Sequence, residues 1–144
     1  MKLTSNADVI AKRVATWSHN VGPELGRATL QCATVLTAAA KRESPVRTGR
    51  LRRSISYVAG GPARYVVSPN VPYAASVHGG TRAHVIVPTV KKALFWKGAR
   101  HPVRRVNHPG TKGNPFMTRA LDRSTPEIRR IAAAAGASIV TTRA

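Results

Sequence analysis

The chain has 144 residues, enough for one domain with a hydrophobic core, and carries 24 lysines and arginines against 5 acidic residues. Its net charge of +19 predicts polyanions or acidic protein surfaces as partners without specifying a fold. A single cysteine excludes a disulfide framework or a zinc site within the chain. No run of about 18 apolar residues and no signal-peptide segment occur, so we expect synthesis inside the cell and no membrane association.

The positive charge is concentrated in the middle of the chain. Residues 44–121 contain 14 basic residues and no acidic residue, whereas residues 1–43 and 122–144 have net charges of only +3 and +2. A run of like charge is often no more than a solvated face. Contacts with a polyanion or an acidic neighbour are nevertheless expected in this acid-free segment.

An amphipathic helical region is predicted over residues 6–42. Apolar residues recur there at steps of three or four: Ile10, Val14, Trp17, Val21, Leu25, Ala28, Cys32, Val35 and Ala39. Gly22 and Pro23 interrupt the pattern, so we expect either a kink or the start of a second helix. Because Cys32 lies on the apolar stripe, we interpret it as a buried structural thiol.

Residues 44–55 form a joint between the helical region and strand-like sequence. Pro45 disfavours a helical Ser44, and Gly49 permits a tight turn. Beyond the turn, apolar and polar residues alternate, which predicts a first strand over residues 51–58. The joint also contains four arginines within seven residues: Arg47, Arg50, Arg52 and Arg53.

Residues 51–106 are predicted to form short strands separated by turns. A second strand is expected over residues 64–68, residues 71–78 fit a strand or a helical turn, and residues 84–87 are mostly β-branched. Residues 93–96 and 103–106 could pair as a hairpin. The prolines suit strand ends and edges, so we expect a small, mainly antiparallel sheet with a long loop or arm over residues 88–114.

A second helical region is predicted over residues 115–141. Thr125, Pro126 and Glu127 have the order of a helix start, namely a cap, a proline and an acid, so the pattern allows a break at Pro126. Two helical regions that flank a small sheet predict an α+β fold in a single domain covering residues 1–144.

The sequence offers little support for catalysis. All five acidic residues lie in the predicted helical regions or at their ends, where capping and helix-dipole roles explain most of them. No phosphate-binding glycine loop and no nucleophile elbow occur, and the five histidines lack the spacing of a zinc motif. We therefore expect no enzymatic activity, no metal and no cofactor, and rank a nuclease or lytic factor below any binding function.

Nucleic-acid binding has better support. A second basic cluster extends from Lys91 to Arg105, and phosphate contacts need only positive charge at suitable spacing. Phe95 and Trp96 lie within this cluster and fit base stacking, a hairpin core or a contact between subunits. No helix-turn-helix or zinc finger occurs. A free-standing basic nucleic-acid-binding protein is therefore one hypothesis.

Three segments resemble, in order, the signatures of a family of bacteriophage neck and tail-completion proteins. Residues 44–55 (SPVRTGRLRRSI) resemble Pro-Val-(Asp)-Thr-Gly-x-Leu-x-x-Ser-Ile. Residues 72–82 (PYAASVHGGTR) resemble Tyr-Ala-x-x-Val-Glu-x-Gly-Thr, and residues 108–117 (HPGTKGNPFM) resemble His-Pro-Gly-Thr-x-x-x-Pro-Phe. Arg47 stands where the family usually has an acid, and His78 where it has a glutamate, so salt bridges made by those acids are absent here.

The resemblance implies a structural virion protein of long-tailed phages, located at the head–tail junction or the top of the tail and assembled in the host cytoplasm. Such proteins form rings coaxial with the portal and the tail tube. The implied partners are further copies of the chain with six-fold symmetry, adjoining connector and tail proteins, and genomic DNA in the lumen. No catalytic residue is implied.

Two sets of residues are candidates for these contacts. A ring subunit needs two different complementary surfaces, and the arm over residues 88–114 is long enough to reach a neighbour. The residues expected to face DNA or an acidic neighbour are Arg47, Arg50, Arg52, Arg53, Arg104 and Arg105. The residues expected to contact another subunit are Lys91, Lys92, Phe95, Trp96, His108, Pro109 and Phe116.

Overall fold

Four helices and four short strands occur among the residues that the structure describes. The computed structural model describes residues 6–90 and 92–141. In chain order the elements are α1 (Asn6–Glu43), α2 (Arg50–Ser54), β1 (Ile55–Gly61), β2 (Arg64–Pro69), α3 (Ala74–Gly79), β3 (His84–Ile86), β4 (Val106–His108) and α4 (Phe116–Thr141). The predicted α+β class and the helical regions at both ends are confirmed. α1 continues through Pro23, so no second helix begins there.

Helices α1 and α4 pack against each other largely through small side chains. Ala33, Ala39 and Ala40 of α1 and Ala120 of α4 are buried. Because alanine has no side chain beyond Cβ, two helix backbones can approach closely along such a stripe. Phe116, at the start of α4, is fully buried and adds the bulk that alanines lack.

Glu43 links the two helices electrostatically. Its carboxylate accepts hydrogen bonds from Arg119, at 3.1 Å, and from Arg123. The Glu43 side chain is only 12% exposed, and a charge this buried is tolerated when it is paired. The sequence suggested only a helix-end role for Glu43, since its partners lie more than 70 residues away.

The break that the sequence allowed at Pro126 does not occur, because α4 runs through this residue. Thr125 does not cap a new helix; its hydroxyl donates to the carbonyl of Leu121 at 2.8 Å, as a residue inside a helix does. Pro126 has no N–H and cannot bond the carbonyl of Asp122, but Asp122 is exposed, so water can solvate that carbonyl. Packing against α1 outweighs the local start signal.

The joint ends α1 as expected and then forms a helical turn that was not expected. Ser44 closes α1, its amide donating to the carbonyl of Ala40 at 3.0 Å. Gly49 has φ +74°, and the amide of Arg53 donates to the Gly49 carbonyl at 3.0 Å. The predicted strand is therefore wrong over residues 51–54, which belong to α2. The helical turn places Leu51 in the core.

Strands β1 and β2 form an antiparallel hairpin that packs against α1. The pairing runs from Ile55 opposite Pro69 to Ala59 opposite Tyr65, with an irregularity between Ala59 and Gly61. Ile55 is fully buried and anchors the hairpin, whereas the six residues of β1 that follow it are exposed. This hairpin agrees with the predicted strands over residues 55–58 and 64–68.

The second sheet differs from the predicted arrangement. β3 pairs with β4, placing His84 opposite His108 and Ile86 opposite Val106. The predicted hairpin between residues 93–96 and 103–106 is reduced to one bridge, from Leu94 to Val103. Part of the predicted arm therefore folds back, because residues 106–111 pair with residues 81–86.

Glycines allow close backbone approaches beside this second sheet. Thr81 and Thr111 exchange two backbone hydrogen bonds of 2.9 and 3.0 Å. Gly80 has φ +78°, and a Cβ there would lie 2.4 Å from the carbonyl oxygen of Thr111. Only a residue without a side chain fits this position.

The chain divides into two units. One contains residues 72–115, with α3, β3 and β4, and the other contains the rest of the described chain, with α1, α2, α4 and the β1–β2 hairpin. That the two units belong to a single domain over residues 1–144 stays a prediction.

Replacing Glu43 with Gln should lower the free energy of unfolding by roughly 1.5–3 kcal/mol, because hydrogen bonds to a charged group are lost and two guanidinium groups lose their counter-charge. Glu24→Gln is the matched control, since it breaks an exposed pair with Arg27 one helical turn away and should cost about 0.5 kcal/mol or less. Urea denaturation measures both. Equal losses in the two variants would contradict the linking role of Glu43.

Gly80→Ala should destabilise residues 72–115 by about 2 kcal/mol, because the new Cβ would collide with the Thr111 carbonyl at a positive φ. Gly79→Ala is the control, since a Cβ at Gly79 meets no atom within 4 Å. Hydrogen–deuterium exchange at the amides of Thr81 and Thr111 reports the effect. Unchanged exchange in the Gly80 variant would contradict this account.

Candidate functional site

The joint presents its arginines outward because its apolar side chains point inward. Leu51 is 6% exposed and Ile55 is fully buried, which anchors the inner side of α2. Ser44 is buried as well, whereas the four arginines of the joint are exposed. The exposed basic residues that the structure brings together here are Arg47, Arg50, Arg52 and Arg53.

Acidic groups of the described residues are bound by arginines of the long helices. Among the side chains that the structure describes, the ion pairs are Glu24–Arg27 at 2.8 Å, Glu43–Arg119 at 3.1 Å, Glu43–Arg123, and Glu127–Arg130 at 2.6 Å. The hydrogen bond from Arg130 lowers the pKa of Glu127. These pairs leave little negative charge available to cations elsewhere in the protein.

The joint arginines take part in none of the ion pairs among the described residues. Arg53 donates to the carbonyl of Thr48 at 3.4 Å, which orients the guanidinium without compensating its charge. The joint is therefore an exposed, uncompensated cationic surface, suited to an external anion.

The other predicted basic residues lie in the unit of residues 72–115. Arg104 and Arg105 precede β4 and are exposed, as is Lys92. Lys91 lies outside the described residues. The structure thus distributes the six candidate arginines over two units, four in the joint and two before β4.

Phe95 and Trp96 are 68% and 50% exposed. The loop that carries them is held by the bridge between Leu94 and Val103, with N···O distances of 2.7 and 3.0 Å. Val90, nearby in sequence, is 94% exposed. Such exposure excludes a hairpin core for the two aromatic residues and leaves base stacking or a protein contact as interpretations.

The last three residues of the predicted contact set lie in different environments. His108 is half-buried and its ring stacks on that of His84, with centroids 5.0 Å apart. Pro109 is exposed, whereas Phe116 is fully buried in the core. A fully buried Phe116 offers no side-chain surface to a neighbouring subunit, so we treat it as a core residue.

His84 and His108 are the histidines that the fold brings together. The amide of Gly110 donates to Nδ1 of His108 at 3.0 Å, and Nδ1 of His84 lies 2.9 Å from the carbonyl of Arg82. Over residues 6–90 and 92–141, no group of three or more His, Cys, Asp or Glu side chains could hold a metal ion. Nor is any helix in those ranges long and apolar enough to cross a membrane.

The exposed β1–β2 hairpin is a surface that sequence reasoning missed. Val58 and Val66 lie opposite each other and are 57% and 42% exposed. Alternating apolar residues predicted one buried face, but only Ile55 of β1 is buried. Residues 59–61 are too small to fill a core, and this was the feature of the sequence that could have indicated an exposed strand.

A cavity of about 290 Å³ lies beside β2. Among its lining residues are Cys32 and Leu36 of α1, Tyr65 and Val67 of β2, and Ile128 of α4. Burial raises the pKa of the Cys32 thiol, and a backbone hydrogen bond partly offsets this. The thiol is half-buried rather than fully buried.

Comparison with known proteins gives one match. The family model described as "Bacteriophage HK97-gp10, putative tail-component" matches residues 8–78, just under half of the chain. The matched segment includes most of α1, the joint and the β1–β2 hairpin. No curated protein and no solved structure is significantly similar to the chain.

Cys32 should react slowly with iodoacetamide at pH 7–8, because the thiolate is the nucleophile and burial raises the thiol pKa. We expect the rate to rise severalfold when urea unfolds the protein. Because the thiol pKa is lower in the unfolded chain, the unfolded chain loses the thiol proton at a lower pH than the folded protein does. The contribution of Cys32 to stability is therefore present below the unfolded pKa and is lost as pH rises through the folded pKa. Equal alkylation rates in both states would contradict this.

Proposed function

We propose that the chain is a bacteriophage tail component that forms a ring at the head–tail junction or the top of the tail, because a family model of HK97-gp10-like tail components matches residues 8–78. A tail component is a part of the virion. In the proposed ring, assembled in the host cytoplasm, the protein surrounds the channel for the genomic DNA and contacts adjoining connector and tail proteins. The family match is the observation that carries the proposal.

A closed ring of like subunits in head-to-tail contact requires two different complementary surfaces on each copy. We propose six copies. Since each chain has a charge of +19, six copies bring together about 114 positive charges, which need compensating anions. DNA in the lumen and acidic surfaces of the proteins above and below are the two sources.

The candidate arginines support such a contact. The joint arginines are exposed and lack ion pairs among the described residues, and Arg104 and Arg105 are exposed as well. The proposed contacts to DNA or to an acidic neighbour are made by Arg47, Arg50, Arg52, Arg53, Arg104 and Arg105. Arginine suits both partners, because its planar guanidinium can bind phosphate or carboxylate with two hydrogen bonds.

The exposed part of the arm is the proposed contact with a neighbouring protein or subunit. Phe95 and Trp96 offer aromatic surface that is energetically effective when covered. Lys92, three residues before Phe95, is exposed, Pro109 is exposed as well, and His108 is half-buried. Lys91 remains part of the proposal although it lies outside the described residues.

A free-standing nucleic-acid-binding protein would behave differently from a ring component. Its single chain would bind DNA alone, with an affinity that falls steeply as salt rises. The proposed ring component should bind DNA weakly as a monomer and become ordered with its partners. A structural role requires no catalytic residue, and we propose none.

Replacing Arg50 and Arg52 with Gln should reduce infectious virions by about tenfold or more, since a loss of about 1.4 kcal/mol in a contact is tenfold in affinity. The control is Arg129→Gln with Arg130→Gln, which removes the same charge from the exposed side of α4 and should leave the titre within about twofold. Complementation of a phage that lacks the gene measures both.

Imaging of the virion neck at side-chain resolution tests the placement directly. The expected map shows a ring with the joint arginines next to DNA or an acidic protein. A map with those arginines solvated on the outer wall, or equal titres for the two double variants, would contradict their role. Tight, salt-sensitive DNA binding by the isolated chain would favour the free-standing alternative.

A further inference from the structure

The outer edge of β1 carries backbone groups that no strand in the described residues pairs with. The register places Ser54 opposite Asn70, and the amide of Asn70 donates to the Ser54 carbonyl at 2.9 Å. Bonded and non-bonded pairs alternate in an antiparallel sheet. The N–H and C=O groups of Tyr57 and Ala59 therefore point away from β2, toward solvent.

The outer edge of β2 has a different character. By the same alternation, the backbone groups of Tyr65 and Val67 point away from β1. Their side chains line the cavity of about 290 Å³ together with Cys32, Leu36 and Ile128. None of the described β1 residues lines this cavity, so it lies under β2 rather than under β1.

The hairpin is also the stretch where like-charged copies can approach one another. Arg64 is the only Lys, Arg, Asp or Glu between the joint arginines and Arg82. Contact through a more basic part of the acid-free residues 44–121 would place cations of one copy against cations of the next. A near-neutral strand edge offers few cations to the phosphates of DNA. An acidic protein would be attracted more strongly to the arginines of the joint than to this edge. These properties favour a second copy as the occupant.

We infer that neighbouring copies join through this hairpin, with the outer edge of β1 in one copy pairing with the outer edge of β2 in the next and covering the cavity beside Cys32. The inference rests on the proposed ring. Because each copy contributes a different edge on each side, the contact repeats head to tail and can close. Both strands lie within residues 8–78, so the contact would belong to the segment shared with the family.

Cross-linking to the native cysteine tests the geometry. Ala59 lies on the same face of the hairpin as Tyr65, its partner in the register, and this is the face that lines the cavity. In the proposed contact, mild oxidation of the Ala59→Cys variant should link it to Cys32 of the next copy and give a ladder of covalent multimers. A disulfide requires Cα atoms within about 7 Å. Val58→Cys, on the opposite face, is the control and should give no ladder.

Equal ladders from both cysteine variants, or no multimer from Ala59→Cys in rings that form normally, would overturn the inference. A bond between the new cysteine and Cys32 of the same chain, which gives no ladder, would overturn it as well. Peptide mass spectrometry of the oxidised sample identifies which cysteines are joined.

Ala59→Pro supplies a second test, because proline removes only the outward N–H and is tolerated on an edge strand. We expect a folded monomer with an unchanged circular dichroism spectrum and about tenfold weaker ring assembly in native mass spectrometry and in virions. Ala59→Val, which keeps the N–H, should assemble normally. If wild-type protein forms no ring in solution or in the neck, the proposed function fails. If the wild type and Ala59→Pro form rings equally well, the inference alone fails.

Discussion

Close packing of α1 against α4 is the constraint on which the unit made of α1, α2, α4 and the β1–β2 hairpin depends. Alanines on α1 let the two helices approach, and Phe116 fills the space that small residues leave. Glu43 holds the same pair of helices through Arg119 and Arg123. The β1–β2 hairpin packs against α1. The residue at which α1 ends therefore determines where the hairpin lies. The ion pairs of Glu43 and the apolar contacts therefore stabilise the same two helices. The Glu43 carboxylate is tolerated in its mostly buried position because it is paired.

This arrangement also determines where the positive charge is available. Three acids bind arginines of α1 and α4, and no acid occurs in residues 44–121. The joint arginines therefore have no counter-charge among the residues that the structure describes. Burial of Leu51 and Ile55 directs them outward. The segment that carries most of the net charge is thus the one whose charge depends on another molecule for compensation.

Much of the fold could be predicted from the sequence, because periodicity and prolines report directly on local structure. The two helical regions, the end of α1 at Ser44 and the hairpin turn after Gly61 followed from such signals. Local signals failed where distant contacts decide. Thr125 and Pro126 resemble a helix start, but α4 continues because it packs on α1. Val106 pairs with Ile86 rather than with residues 93–96, a choice between partners that periodicity cannot make.

The candidate site divides in the same way. The arginine cluster was visible in the sequence, since exposure of arginine is the usual case. The exposed face at Val58 and Val66 and the cavity beside Cys32 were not visible, because each depends on how the hairpin lies on α1.

The paired backbones at Thr81 and Thr111 have a further consequence. They close a stem, and the entropy cost of lengthening a closed loop grows slowly, by about 0.6 kcal/mol per doubling. The loop between β3 and β4 can therefore diverge in length and sequence among homologous proteins while the stem stays the same.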